Sequence, residues 1–80
     1  MDTGAAICQR ILGLCKERGL TVNRLATISG VTQSTLNNIT SGRNHSTTVA
    51  TIKKLCDGLD MTLGEFFSTP EFDELEQEIR

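Results

Sequence analysis

Gln33, Ser34, Asn37, Asn38 and Ser41 follow one another at spacings of one, three and four residues. Wound as a helix at about 100° per residue, they share one arc of roughly 140°, with Leu36 and Ile39 on the opposite side. The arc holds only amides and hydroxyls. An ordinary solvated helix face would carry Lys, Glu or Asp, and none is present. Asn is a poor helix former, but a carboxamide donates and accepts at once and can pair with adenine N6 and N7. The chemistry open to these residues is recognition by hydrogen bonds.

Other reactive side chains offer less. Cys8, Cys15 and Cys56 form no CxxC pair, and an odd number leaves one thiol unpaired. A disulfide scaffold is not expected. With His45 they could nominally make a Cys3His set, but the spacings fit no zinc module. Buried thiols acting as small apolar groups are the expectation. His45 has no Ser or Cys placed with it as a nucleophile and reads as a surface residue or phosphate neighbour. There is no glycine-rich phosphate loop and no paired-carboxylate site. An enzyme is therefore not expected, and neither is a cofactor or metal.

The formal net charge of −2 argues at first against a nucleic-acid partner. It hides an asymmetry. Residues 1–56 hold Arg10, Lys16, Arg18, Arg24, Arg43, Lys53 and Lys54 against Asp2 and Glu17, a balance of +5. Residues 57–80 hold Arg80 against eight acids, a balance of −7. No run of about 18 apolar residues appears, so no membrane span is expected. No secretory leader is visible, and the cytoplasm is the expected compartment.

Positioning the polar arc falls to helices, since no period-two alternation or hairpin turn appears. From about Thr3 to Arg18, Ile7, Cys8, Ile11, Leu14 and Cys15 draw one apolar face, and Gly19 supplies a stop. A second helix starts after Thr21 and ends at Ser29-Gly30, with Leu25, Ala26 and Ile28 inward. The third runs from its cap Thr32 to Ser41-Gly42. Leu20 with Leu25, and Val31 with Leu36, stand where hydrophobic staples belong. The fourth begins near Thr48, with Val49, Ile52, Leu55, Cys56 and Leu59 inward. The fifth opens on a capping box, Thr62 to Glu65, stapled by Met61 and Phe66. A last acidic segment opens on Thr69-Pro70 and would place Phe72, Leu75 and Ile79 on one face. The fold class is all-α, a single domain. Residues 1–67 form the main unit and 68–80 an acidic amphipathic C-terminal helix.

The second and third helices are separated only by Ser29-Gly30-Val31. So short a link makes them cross steeply, the helix-turn-helix geometry. Ala26 is small enough for close approach, and Gly30 accepts a positive φ. This block, with Thr32-Gln33-Ser34-Thr35-Leu36, Ile39, Ser41-Gly42 and Ile52-Lys53-Lys54-Leu55, resembles the phage repressor and Cro-type (lambda-repressor-like, XRE-type) helix-turn-helix family. The resemblance covers about 60 residues and implies a five-helix DNA-binding domain.

It also implies roles. Helix 3 would enter the major groove of double-stranded DNA, with Gln33, Ser34 and Asn38 contacting bases and Asn37 beside them. Arg43 would contact phosphate, as would the backbone amides near Val22 and Thr48, because helix starts favour anions. The hydroxyls of Thr21, Ser46 and Thr47 could assist. Four departures stand out. Val22 replaces a frequent Gln, Thr47 a frequent Pro, and Asp60 a frequent Gly. Cys15 and Thr40 cannot form the Arg–Glu pair of several relatives. The implied function is transcriptional regulation, repression more than activation. A homodimer would be weak in solution and firmer on DNA. The alternative is a protein-interaction or antitoxin-like module on the same fold, for which the −7 segment speaks.

Overall fold

Helix starts leave backbone N–H groups without partners, and this chain covers them with small oxygen-bearing side chains. In a computed structural model that describes residues 2–44 and 46–79, six helices follow in order. They are α1 (Thr3–Arg18), α2 (Val22–Ser29), α3 (Gln33–Thr40), α4 (Val49–Gly58), α5 (Leu63–Phe67) and α6 (Pro70–Asp73). No strand occurs among the described residues. Asp2 caps α1, and Thr21, Thr32 and Thr48 cap α2 to α4, each accepting the N–H three residues on. At α5 the capping box is reciprocal: Thr62 Oγ1 accepts from Glu65 N at 3.0 Å, and Glu65 Oε1 accepts from Thr62 N at 2.9 Å.

The core lies where α1, α2, α3 and α4 meet. Ile11, Leu25, Ala26, Leu36, Ile39, Ile52, Leu55, Cys56, Leu59 and Phe66 are buried there, and Leu20, Val31 and Met61 pack against it from just before their helices. Phe72 closes one edge, edge-on to Phe67 with ring centroids 4.9 Å apart. On α1, Cys8 Sγ donates to the Thr40 carbonyl at 3.1 Å, tying the first helix to the end of α3.

Two apolar side chains expected inside are outside. Ile28 is 39% exposed. At about 100° per residue, Ser29 falls between Leu25 and Ala26, whereas Ile28 lies roughly 110° from their centre. Val22, Leu25, Ala26 and Ser29 therefore make the inward stripe. Val49 is 64% exposed because it occupies the first position of α4, one turn before the helix meets the core at Ile52.

The C-terminal segment also departs from expectation. The helix stops at Asp73 after one turn, and Ile79 is 88% exposed and shares no packed face with Phe72. Glu71, Asp73, Glu74, Glu76 and Glu78 crowd like charges at helical neighbours, and acids oppose the negative end of the helix dipole. Thr69 makes no side-chain cap; its own carbonyl already takes the Phe72 N–H at 3.2 Å. The chain instead runs back along α1, where the Thr3 hydroxyl donates to Glu78 Oε1 at 2.8 Å.

No helix of the described residues is long and apolar enough to cross a membrane.

Candidate nucleic-acid interface

Where α2 hands over to α3, Gly30 takes φ 69°, a left-handed conformation that glycine adopts without penalty. Its position lets the Val31 N–H reach back to the Ala26 carbonyl at 3.1 Å, which closes α2 in one tight turn. Behind the turn, Ala26 is buried and Gly58 of α4 sits against Ser29. A Cβ on Gly58 would stand 2.2 Å from Ser29 Oγ and 3.1 Å from its Cα, so glycine here lets α2 and α4 approach. Ser29 Oγ is enclosed and makes no hydrogen bond.

Leu36 and Ile39 anchor α3 in the core, fully buried. That anchoring turns the opposite arc outward: Gln33, Ser34, Asn37 and Ser41 are exposed, and Asn38 is half-buried. Thr35 is exposed too, but its hydroxyl accepts from Thr32 Oγ1 at 2.8 Å. The outer face of α3 presents carboxamides and hydroxyls without a single charge.

Around this face lie the other residues that the sequence singled out. Thr21 and Thr48 are exposed caps whose hydroxyls already accept from Arg24 N at 3.0 Å and Thr51 N at 3.1 Å. Val22 is half-buried against the core, so what it offers outward is its backbone. Arg43 and Ser46 are exposed and Thr47 is half-buried. His45, with its expected surface role, lies outside the described residues. Asn44 went unnoticed in the sequence: its N–H donates to the Asn38 carbonyl and its Oδ1 accepts from Ser46 N, both at 2.9 Å. An Asn two residues before a Ser was the available signal for such a side-chain turn.

The +5 balance of residues 1–56 overstates the charge free to meet an anion. Arg10 donates to the Phe66 and Glu65 carbonyls at 2.8 and 3.0 Å, and Arg18 donates to the Leu59 carbonyl. These arginines cap the ends of α5 and α4. Lys53 pairs with Asp57 one turn on. Among the described residues, Lys16, Arg24, Arg43 and Lys54 are exposed cations with neither a carboxylate nor a carbonyl partner.

A pair of short helices joined by one tight turn, with an uncharged amide face, has a counterpart among known proteins. The model of the Cro/C1-type HTH DNA-binding domain matches residues 10–71. The chain belongs to this DNA-binding family. As a Cro/C1-type domain, it is 34% identical over 70 residues to the HTH-type transcriptional regulator PuuR of Escherichia coli, covering 88% of this chain and 37% of that protein. It is 43% identical over 51 residues to the HTH-type transcriptional repressor RghR of Bacillus subtilis, covering 64% and 38%. The chain thus spans less than two fifths of these curated relatives. The crystal structure of the prophage Lp1 protein 11 superposes with a TM-score of 0.81 at 36% identity, covering 94% of this chain and all of that one. An HTH_3 family transcriptional regulator from Vibrio cholerae superposes with a TM-score of 0.75 at 32% identity, covering 82% and 36%. The all-helical fold expected from the caps and the repressor-like domain implied by the family resemblance are both found, and the family is one of DNA binders, not enzymes.

Burial pushes the thiols of Cys15 and Cys56 above their ordinary pKa, which keeps them protonated and unreactive at neutral pH. No group of three His, Cys, Asp or Glu gathers as a metal site among the described residues.

Proposed function

We propose that this Cro/C1-type domain reads double-stranded DNA with α3 in the major groove and acts as a transcriptional repressor in the cytoplasm. The observation that carries the reading is the uncharged outward face of α3. Gln33, Ser34, Asn37 and Asn38 are the base-contacting set, and carboxamides there can pair with adenine edges. Arg43, the hydroxyls of Thr21, Ser46 and Thr47, and the backbone amides near Val22 and Thr48 form the phosphate-contacting set around it. Repression follows the name of the Bacillus subtilis relative and the family resemblance.

Residues 1–67 are proposed as the DNA-binding unit and 68–80 as an acidic segment, whose Glu78 meets Thr3 at the start of α1. Pairing of two copies is proposed to be weak in solution and firmer on DNA, where two half-sites about one helical turn apart would each take one α3. Selection of bound sequences from random duplex DNA tests the reading directly. A defined preferred site is expected, and Gln33→Ala and Asn37→Ala should weaken it about tenfold or more while leaving random duplex nearly unchanged. Equal binding by wild type and both variants would overturn the placement of α3.

A further inference from the structure

One residue holds the turn between α3 and α4 from both sides. The Asn44 N–H donates to the Asn38 carbonyl at 2.9 Å, on the same oxygen that receives the Ser41 hydroxyl at 3.3 Å. The Asn44 carboxamide oxygen, on the other side, accepts the Ser46 N–H at 2.9 Å. The first bond anchors the loop to the last turn of α3. The second reaches across one residue toward Thr48, the cap of α4. Asn44 is half-buried, whereas its neighbours Arg43 and Ser46 are exposed.

We infer that Asn44 is a positioning residue, holding Ser46, and with it the proposed phosphate contacts at Thr47 and Thr48, relative to the base-facing arc of α3. The inference rests on the reading proposed above. Ordering a loop costs conformational entropy, and a loop already ordered in the free protein does not incur that cost on binding. Asn44 supplies the order without touching DNA. Alanine at 44 keeps the backbone bond to Asn38 but releases Ser46, so the loop stays attached and loses its shape. Serine keeps a shorter acceptor that reaches the same amide more weakly. Aspartate keeps the acceptor but adds a negative charge facing phosphate, which disqualifies it as a rescue.

The test uses the full chain against the selected duplex and a random duplex of equal length, over a salt series, alongside thermal melting. N44A should weaken both duplexes by one common factor, about three- to tenfold, with melting close to wild type. N44S should recover part of the loss. In an R43A background the N44A loss should shrink, because the main cation that the loop presents is gone. Unchanged binding by N44A overturns the inference, and so does a loss confined to the selected duplex, which would make Asn44 a base reader. Losses that simply add with R43A also overturn it. If N44A does not fold, N44S carries the same comparison. Wild type failing to bind either duplex would bring down the docking proposal and this inference together; wild-type binding with N44A unaffected refutes the positioning role alone.

Discussion

Replacing Gly58 by alanine perturbs the contact that sets the distance between α2 and α4. The new Cβ would meet Ser29 Oγ at 2.2 Å and the Ser29 Cα and Cβ at 3.1 Å. The hydroxyl can turn to another rotamer, but the backbone of α2 must retreat by a few tenths of an ångström. Overpacking of this kind costs about 1–3 kcal/mol, offset by the roughly 1 kcal/mol that alanine gains over glycine in a helix. The net expectation for Gly58→Ala is a loss of about 1 kcal/mol. Ser29→Ala alone removes an enclosed hydroxyl that has no partner, and should be neutral or stabilising by up to about 1 kcal/mol. In the Ser29→Ala background, Gly58→Ala should lose its clash with the hydroxyl but keep the approach to Cα. The two changes therefore couple, and the double variant should be more stable than the sum of the singles by about 0.5–1 kcal/mol. Urea unfolding of all four proteins measures this. Since α2 carries the turn into α3, Gly58→Ala should also weaken DNA binding. A Gly58→Ala protein as stable as wild type, or strictly additive behaviour, would mean that α2 and α4 do not approach this closely.

Asp60 takes φ 55° in the turn after α4, so Asp60→Gly should raise stability by up to about 1 kcal/mol in thermal melts; a drop would show that its side chain is needed there. The Glu65 carboxyl is held below its ordinary pKa by the Thr62 backbone N–H, then by the Thr62 hydroxyl. Its share of stability is thus present above the ordinary Glu range and fades as pH falls through the lowered folded value. Melting from pH 7 down to pH 3 should show a shallower acid loss in Glu65→Gln than in wild type, and parallel curves would refute the linkage. Arg43→Ala should weaken selected and random duplex alike and flatten the salt slope by about one unit, as read by binding over a salt series. A loss on one sequence only would move Arg43 into the base-reading set.

Much of the fold was legible because threonine caps recur before the helices. Thr21, Thr32, Thr48 and Thr62 each stand one residue ahead of a helix and each accept the expected amide. The outward arc of α3 was legible for the same reason: with Leu36 and Ile39 inside, geometry leaves Gln33, Ser34 and Asn37 nowhere else to go. What escaped were contacts made by residues that look ordinary in one dimension. Ser29 displaced Ile28 from the inner stripe because close approach to Gly58 needs a small side chain, and hydropathy alone ranks isoleucine first. Arg10 and Arg18 looked like charge for a polyanion but serve carbonyls at helix ends more than 40 residues away. Asn38 is half-buried while the other three proposed readers are exposed, and the Asn44 bond to its carbonyl gave no sign in the sequence.

Under the proposed docking, the small number of unpartnered cations among the described residues bears on how strongly this domain is held by arbitrary DNA. Binding to arbitrary sequence is driven by counterion release, with a slope of about 0.9 per phosphate neutralised. Lys16, Arg24, Arg43 and Lys54 together would support a slope of about four for one copy if all four met phosphate. Competing sites in a genome number roughly 10⁶ to 10⁹, and each retains a protein in proportion to this electrostatic attraction. Under the proposed docking, a domain that reads with neutral amides and carries few free cations among its described residues would be held only weakly by those decoys. Its occupancy of a true site would then depend less on abundance than that of a more basic relative.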